Sequence, residues 1–336
     1  VKDKPVPTKT RLKTISRALV IPALALAGFT AFVALSPKTQ DKLYTAAMNL
    51  EIGLSDMTRR SAQVGDHTMV YLQRAAVGEQ AGTIVLLHGF TADKSNWLRM
   101  VRELPKNYEV IAPDWPAHGE STYIDGADYR IAAQADRLQT FMAQRSLSSA
   151  HLVGHSMGGA IVSNFASRYP DSVKSLTLMS SGGVDNPNTL SDLERSLQTT
   201  GENPLLVKKP GDIDNTLKFA MSEPPFIPWP LTQVLERVSI ARAPRFASVF
   251  KQITDGVTST DTAYLTQIGA PTLILWGDQD RLLSVSNAAV FEQAIPDSQL
   301  VVYPGVGHMP MLEAPKLSGQ DVAEFVLAVD GAKPAT

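Results

Sequence analysis

From about residue 66 onward the chain alternates short, wholly apolar runs with amphipathic ones. "HTMVYLQ", "TIVLLHGF", "YEVIAPD", "AHLVGHS", "KSLTLMSS", "PTLILWG" and "SQLVVYP" read as strands. Stretches such as "AQADRLQTFMAQR", "MGGAIVSNFASRY", "SVSNAAVFEQA" and "SGQDVAEFVLAV" read as the helices between them. A strand that is apolar on both faces must be covered on both, and the intervening helices supply the cover. The alternation therefore predicts an α/β fold, a mostly parallel sheet with helices on either face. Between Gly183 and about Asp261 it lapses into a largely helical stretch broken by proline clusters such as "SEPPFIPWP". An insertion of that kind would form a helical cap over the strand ends.

Ahead of this domain, Ala18 to Pro37 contains no ionisable side chain. As a helix it would span ~30 Å, the hydrocarbon thickness of a bilayer. Lys2, Lys4, Lys9, Arg11, Lys13 and Arg17 precede it against a single acid, Asp3, which favours keeping that end in the cytoplasm. A signal peptide cleaved at Ala25-Leu26-Ala27 would have a short apolar region behind a long basic one. Cleavage after Ser36 would leave Pro37 immediately downstream. A core helix would need a polar face that this run lacks. A retained transmembrane helix is the favoured reading. In the next segment Leu43, Ala47, Leu50 and Leu54 recur at helical spacing. This stripe fits a juxtamembrane helix that lies on lipid or pairs with a second copy, and equally a connector packed on its own domain. The expected divisions are a basic cytoplasmic segment (1–17), a transmembrane helix (18–37), a juxtamembrane helix (38–60), a first α/β core segment (61–183), a helical cap (184–261) and a second core segment (262–336).

Composition excludes several functions. The chain has no cysteine, so disulfides, thiolate metal sites and a cysteine nucleophile are absent. Its formal net charge is −2 despite the basic start, which leaves the remainder acidic and without a basic surface for nucleic acid. No G-x-G-x-x-G or P-loop pattern suggests a nucleotide. His151 and His155 share the spacing of a metal pair, but on a strand that spacing does not bring both to one helical face, and no third ligand accompanies them. Neither a metal nor a cofactor is expected.

The strongest chemical signal is Gly154-His155-Ser156-Met157-Gly158, placed between a strand and a helix. Its glycines allow a sharp turn that projects Ser156, and the following helix aims backbone N–H groups at a reacting oxygen. A serine hydroxyl needs a base, and that base an orienting carboxylate. His308, in "GVGHMPMLEAP", and Asp280, in "LILWGDQD", each follow a strand and complete the chain order Ser156, Asp280, His308. Asp278 is the rival acid, with the alternative task of pinning its turn. Phe90, after His88-Gly89, and Met157 are the expected oxyanion-hole donors. His88 and His118 read as loop-ordering residues.

With these residues assembled, the chain resembles the α/β-hydrolase superfamily from about Gly65 to its C-terminus. More narrowly it resembles the bacterial family V lipases and the membrane-anchored phospholipase A of the PlaF type. "HGFTADKSNW", "GHSMGGAIVS", "ENPLLVK", "EPPFIP", "LILWGDQD" and "GHMPMLEAP" carry the resemblance in order. It implies Ser156 as nucleophile, Asp280 as acid, His308 as base, and Phe90 and Met157 as oxyanion donors. It also implies a cap over an acyl-chain pocket and, for the PlaF type, an anchored helix with a juxtamembrane extension and pairing into homodimers. The expectation is a serine ester hydrolase acting on lipid or fatty-acyl esters, held in a bacterial inner membrane by one N-terminal span with its catalytic domain periplasmic. Phe226, Ile227 and Trp229 would form an apolar rim for acyl chains or pack the cap on its own core. Rival readings are a hydrolase of soluble esters or carbon–carbon bonds on the same scaffold, and a non-catalytic lipid-binding membrane protein.

Overall fold

The computed structural model describes residues 30, 33–184, 186, 188–254 and 262–331. Most of the apolar segment 18–37 therefore lies outside the described residues. Among those described, no helix is long and apolar enough to cross a membrane.

Eight strands form one sheet among the described residues, in the order β1-β2-β4-β3-β5-β6-β7-β8. They are β1 (Thr58–Val64), β2 (His67–Arg74), β3 (Gly82–Leu87), β4 (Tyr108–Pro113), β5 (Ala150–His155), β6 (Val173–Met179), β7 (Thr272–Gly277) and β8 (Ser298–Tyr303). Strands β3 to β8 pair in parallel, while β1 and β2 are antiparallel to their neighbours. The longer helices among the described residues are α1 (Pro37–Leu54), α2 (Ile131–Gln144), α3 (Met157–Arg168), α4 (Asp192–Thr200), α5 (Asp212–Ala220), α6 (Leu231–Thr254), α7 (Ser286–Ala294) and α8 (Pro315–Val329).

Every residue of β4, β5 and β7 is buried, as their unbroken apolarity requires. One sheet face packs on Phe141 of α2, Ile161 and Phe165 of α3, and Phe291 of α7. The other packs on Trp97, Met100, and Val322 and Val326 of α8. The cap, α4 to α6, leaves the sheet after β6 and returns before β7, within the stretch where the alternation failed.

Two elements depart from the sequence reading. The helix expected to reach residue 60 stops at Leu54, and the chain enters β1, which no periodicity announces. All but two of its seven residues are exposed. An edge strand is held by its backbone ladder to β2 rather than by buried side chains, so it needs no apolar pattern. Helix α1, with Pro37 in its first turn, packs on its own domain, and only part of the stripe marked in the sequence faces it. Gln40 is buried, Tyr44 is partly covered, and Met48 and Ile52 lie against the sheet core. Leu43 and Leu54 are exposed, and Leu50 is exposed beside the cavity. Arg237 of α6 grips the start of α1 at Gln40 Oε1 (3.0 Å) and Asp41, while Glu51 near its end pairs with Arg102.

Candidate active site

The chain leaves β3 towards β4 on one side and β5 towards β6 on the other. Diverging connections open a crevice at the C-terminal ends of these two strands. Ser156 stands at that crevice, between β5 and α3, with φ 53° and ψ −117°. A residue with a side chain adopts such a backbone only when its surroundings impose it. Here the Ser156 N–H donates to the Met179 carbonyl at 3.1 Å, and its own carbonyl accepts from Ala160 (3.1 Å) and Gly182 (2.9 Å). Gly158 permits the tight turn: a Cβ there would sit 2.2 Å from the Leu87 carbonyl oxygen. Met157 heads α3 with its side chain buried, and Phe90 follows β3 across the crevice.

His308 lies in the loop after β8, and its Nδ1 is 2.8 Å from Asp280 Oδ2. The other carboxylate oxygen, Oδ1, accepts from the N–H groups of Leu282 (2.9 Å) and Leu283 (3.0 Å). Both side chains are shielded, with 4% and 0% exposure. Asp278, the rival, accepts instead from the Gly305 N–H at 2.7 Å and pins the turn after β8. The structure thus brings Asp280, not Asp278, to the imidazole.

Four of the other five histidines have separate tasks. His88 Nε2 accepts from the Trp115 N–H (2.9 Å), which leaves Nδ1 to donate to the Gly89 carbonyl (2.8 Å). Burial holds its pKa below the ordinary imidazole value. His118 is buried likewise, depressed well below that value by desolvation, and meets the Pro116 carbonyl. His151 contacts Ser175 and Asp330, at the opposite strand ends. His155 donates from Nε2 to the His308 carbonyl at 2.8 Å; burial, then the neighbouring His308, keep it neutral.

Ser156, His308 and Phe90 line one cavity of about 500 Å³. Leu205, Leu206, Ile213 and Leu217 of the cap make its apolar wall, with Phe226 and Ile227 on the same lining. Trp229 does not belong to that lining. It lies two residues farther on, where the chain turns into α6, and is 44% exposed. Further lining comes from α1, through Tyr44, Ala47, Met48 and Leu50, and from Asp93, Ser95, Asn96, Leu98 and Arg99 after β3. The sequence marked α1 as amphipathic but held nothing to show that its neighbour would be a cavity. The only signal was the helical recurrence itself.

Comparison with known proteins agrees with this fold. A family model described as the alpha/beta hydrolase fold matches residues 82–203 and 227–315. Lipase 1 of Psychrobacter immobilis is 34% identical over 247 residues, covering 73% of this chain and 76% of that one. The Mus musculus monoacylglycerol lipase ABHD6 is 30% identical and covers 93% of each chain. The crystal structure of a membrane phospholipase A, a bacterial virulence factor, superposes with a TM-score of 0.84 at 34% identity. That match covers 94% of this chain and all of the other. The chain belongs to the α/β-hydrolase fold family and is an ester hydrolase of the lipase type.

Proposed function

We propose that this chain is a membrane-anchored lipase or phospholipase A that releases fatty acids from glycerolipids or glycerophospholipids through an acyl-enzyme at Ser156. The observation that carries the reading is the Asp280–His308 pair, which meets Ser156 on one cavity whose cap wall is apolar. With Nδ1 of His308 bonded to Asp280, Nε2 is the nitrogen left to take the Ser156 proton as Oγ attacks the ester carbonyl. The tetrahedral oxyanion would rest on the N–H groups of Phe90 and Met157, each such donor typically worth about 3–4 kcal/mol of barrier. His308 then protonates the departing alcohol or lysolipid. Water deprotonated by the same base frees the fatty acid and restores Ser156. No cofactor enters these steps.

Ile227, with the cap leucines, would take the acyl chain, while Phe226, on the lining but 87% exposed, and Trp229 stay on the outer rim. The membrane assignment rests on Ala18 to Pro37 and on α1, which leads from that segment directly to the cavity wall. The basic residues before Ala18 favour an inner-membrane span with the hydrolase periplasmic. The exposed leucines Leu43 and Leu54 suit a lipid surface or a second copy's N-terminal helix.

The test is to incubate the purified, detergent-solubilised chain with mixed bacterial lipids and follow products by mass spectrometry, alongside fluorophosphonate labelling. Ser156 labelling with release of fatty acids and lysolipids is expected. Labelling without lipid products would favour soluble esters, and a folded but unlabelled chain would favour lipid binding without catalysis.

A further inference from the structure

We propose that Glu313 is a positioning residue that fastens the cap to the loop bearing His308, so that the seating of one sets the geometry of the other. The inference rests on the assignment of His308 as the base. Glu313 ends the short helical turn Pro310–Glu313 after the base loop. Its Oε1 accepts from the Met309 N–H at 3.0 Å and its Oε2 from the Gly307 N–H at 2.9 Å, the two residues flanking His308. Oε2 also accepts from Ser222 (2.8 Å) and Glu223 (3.3 Å), where the chain leaves cap helix α5.

A carboxylate that only closed the turn after His308 would engage Met309 and Gly307 alone. Two independent features join the same strands of chain. The His308 N–H donates to the carbonyl of Ala220, the last residue of α5, at 3.0 Å. Gly307 admits the cap backbone so closely that a Cβ there would lie 2.6 Å from the Ser222 nitrogen and 3.0 Å from Met221 Cα. His155 completes the arrangement by holding the His308 carbonyl. The backbone of the base is therefore fixed on one side by the end of β5, next to Ser156, and on the other by the cap. Phe226 and Ile227 follow Glu223 by only three and four residues, so a substrate that displaces the cap rim pulls on the segment Glu313 holds.

Glu313→Gln separates this from a merely structural role. An amide offers one acceptor oxygen and turns an N–H₂ towards N–H donors whichever way it is placed. On a short, soluble ester that barely reaches the cap, kcat per fluorophosphonate-titrated site should fall about 10- to 100-fold while KM stays near wild type, as expected when a base is held slightly out of place. Amide hydrogen exchange should show Gly307, Met309, Ser222 and Glu223 losing protection together. Glu313→Asp, which keeps the charge on a shorter arm, should give an intermediate kcat and serves if the glutamine variant does not fold. Wild-type kcat per titrated site, whatever the melting temperature, would overturn the proposal. So would loss of protection at Gly307 and Met309 with the cap amides unchanged. A wild-type chain unlabelled at Ser156 would overturn the catalytic assignment instead, and the exchange pattern does not depend on that result.

Discussion

At Asp280 both carboxylate oxygens already have partners: one holds the His308 ring and the other takes two backbone N–H groups. Asp280→Asn must present an N–H₂ to at least one of these donors, and it no longer steadies an imidazolium. Turnover should fall by a factor on the order of 10⁴, measured on a short-chain ester. Asp278→Asn should leave turnover at the wild-type level, because Asp278 serves the turn at Gly305 and the Gln279 side chain rather than His308. Ser156→Ala should cost a factor on the order of 10⁶ in kcat with an unchanged circular dichroism spectrum, since the small side chain fits the same turn. Ester hydrolysis by that variant at the wild-type rate would falsify the nucleophile assignment.

Among the elements, β1 and α1 each make charged contacts to distant parts of the chain. The Arg59 Nε donates to both oxygens of Glu120 (3.1 and 2.9 Å), and Lys94 reaches the same carboxylate at 2.8 Å. Burial works against ionisation of Glu120, but the hydrogen bonds and charges of Arg59 and Lys94 outweigh it and lower the pKa to about 2, from an ordinary 4.5. A depressed carboxylate stabilises the fold above its unfolded pKa and loses that contribution as the pH falls through its folded value. The melting-temperature gap between wild type and Glu120→Gln should thus be full above pH 4.5 and shrink to nothing towards pH 2. Helix α1 supplies the other case. Arg237→Ala would release its first turns from α6 and loosen the wall built by Tyr44 and Met48. KM for a long-chain ester should rise while kcat for a short one stays put, as steady-state kinetics on the two substrates would show.

For the whole molecule, the distribution between membrane and solution follows from the proposed anchor. Removing residues 1–32 keeps Val33, whose carbonyl accepts from Gln40 at 3.2 Å, and leaves every strand intact. The shortened chain should move from the membrane to the soluble fraction and retain hydrolysis of short esters, with hydrolysis of bilayer lipid reduced. Fractionation with activity assays on both pools checks this.

The sheet, the flanking helices, the cap's place and the Ser156 turn were legible in the sequence because each is written in local order. Apolar runs, helical recurrence and a glycine-flanked serine need only neighbours along the chain. Other features depend on what the fold brings alongside. Edge strand β1 exists through pairing with β2, which exposed residues such as Arg59 and Ser61 do not advertise. Asp280 prevails over Asp278 because of where the loops after β7 and β8 meet. Trp229 drops out of the cavity lining while Tyr44 and Met48 enter it, and Glu313 joins the base loop to the cap across more than eighty residues. The sequence by itself determined which groups could react and which segments would be strand or helix. Only the tertiary structure decided which side chain faces which, because those distances are set by packing between segments far apart in the chain.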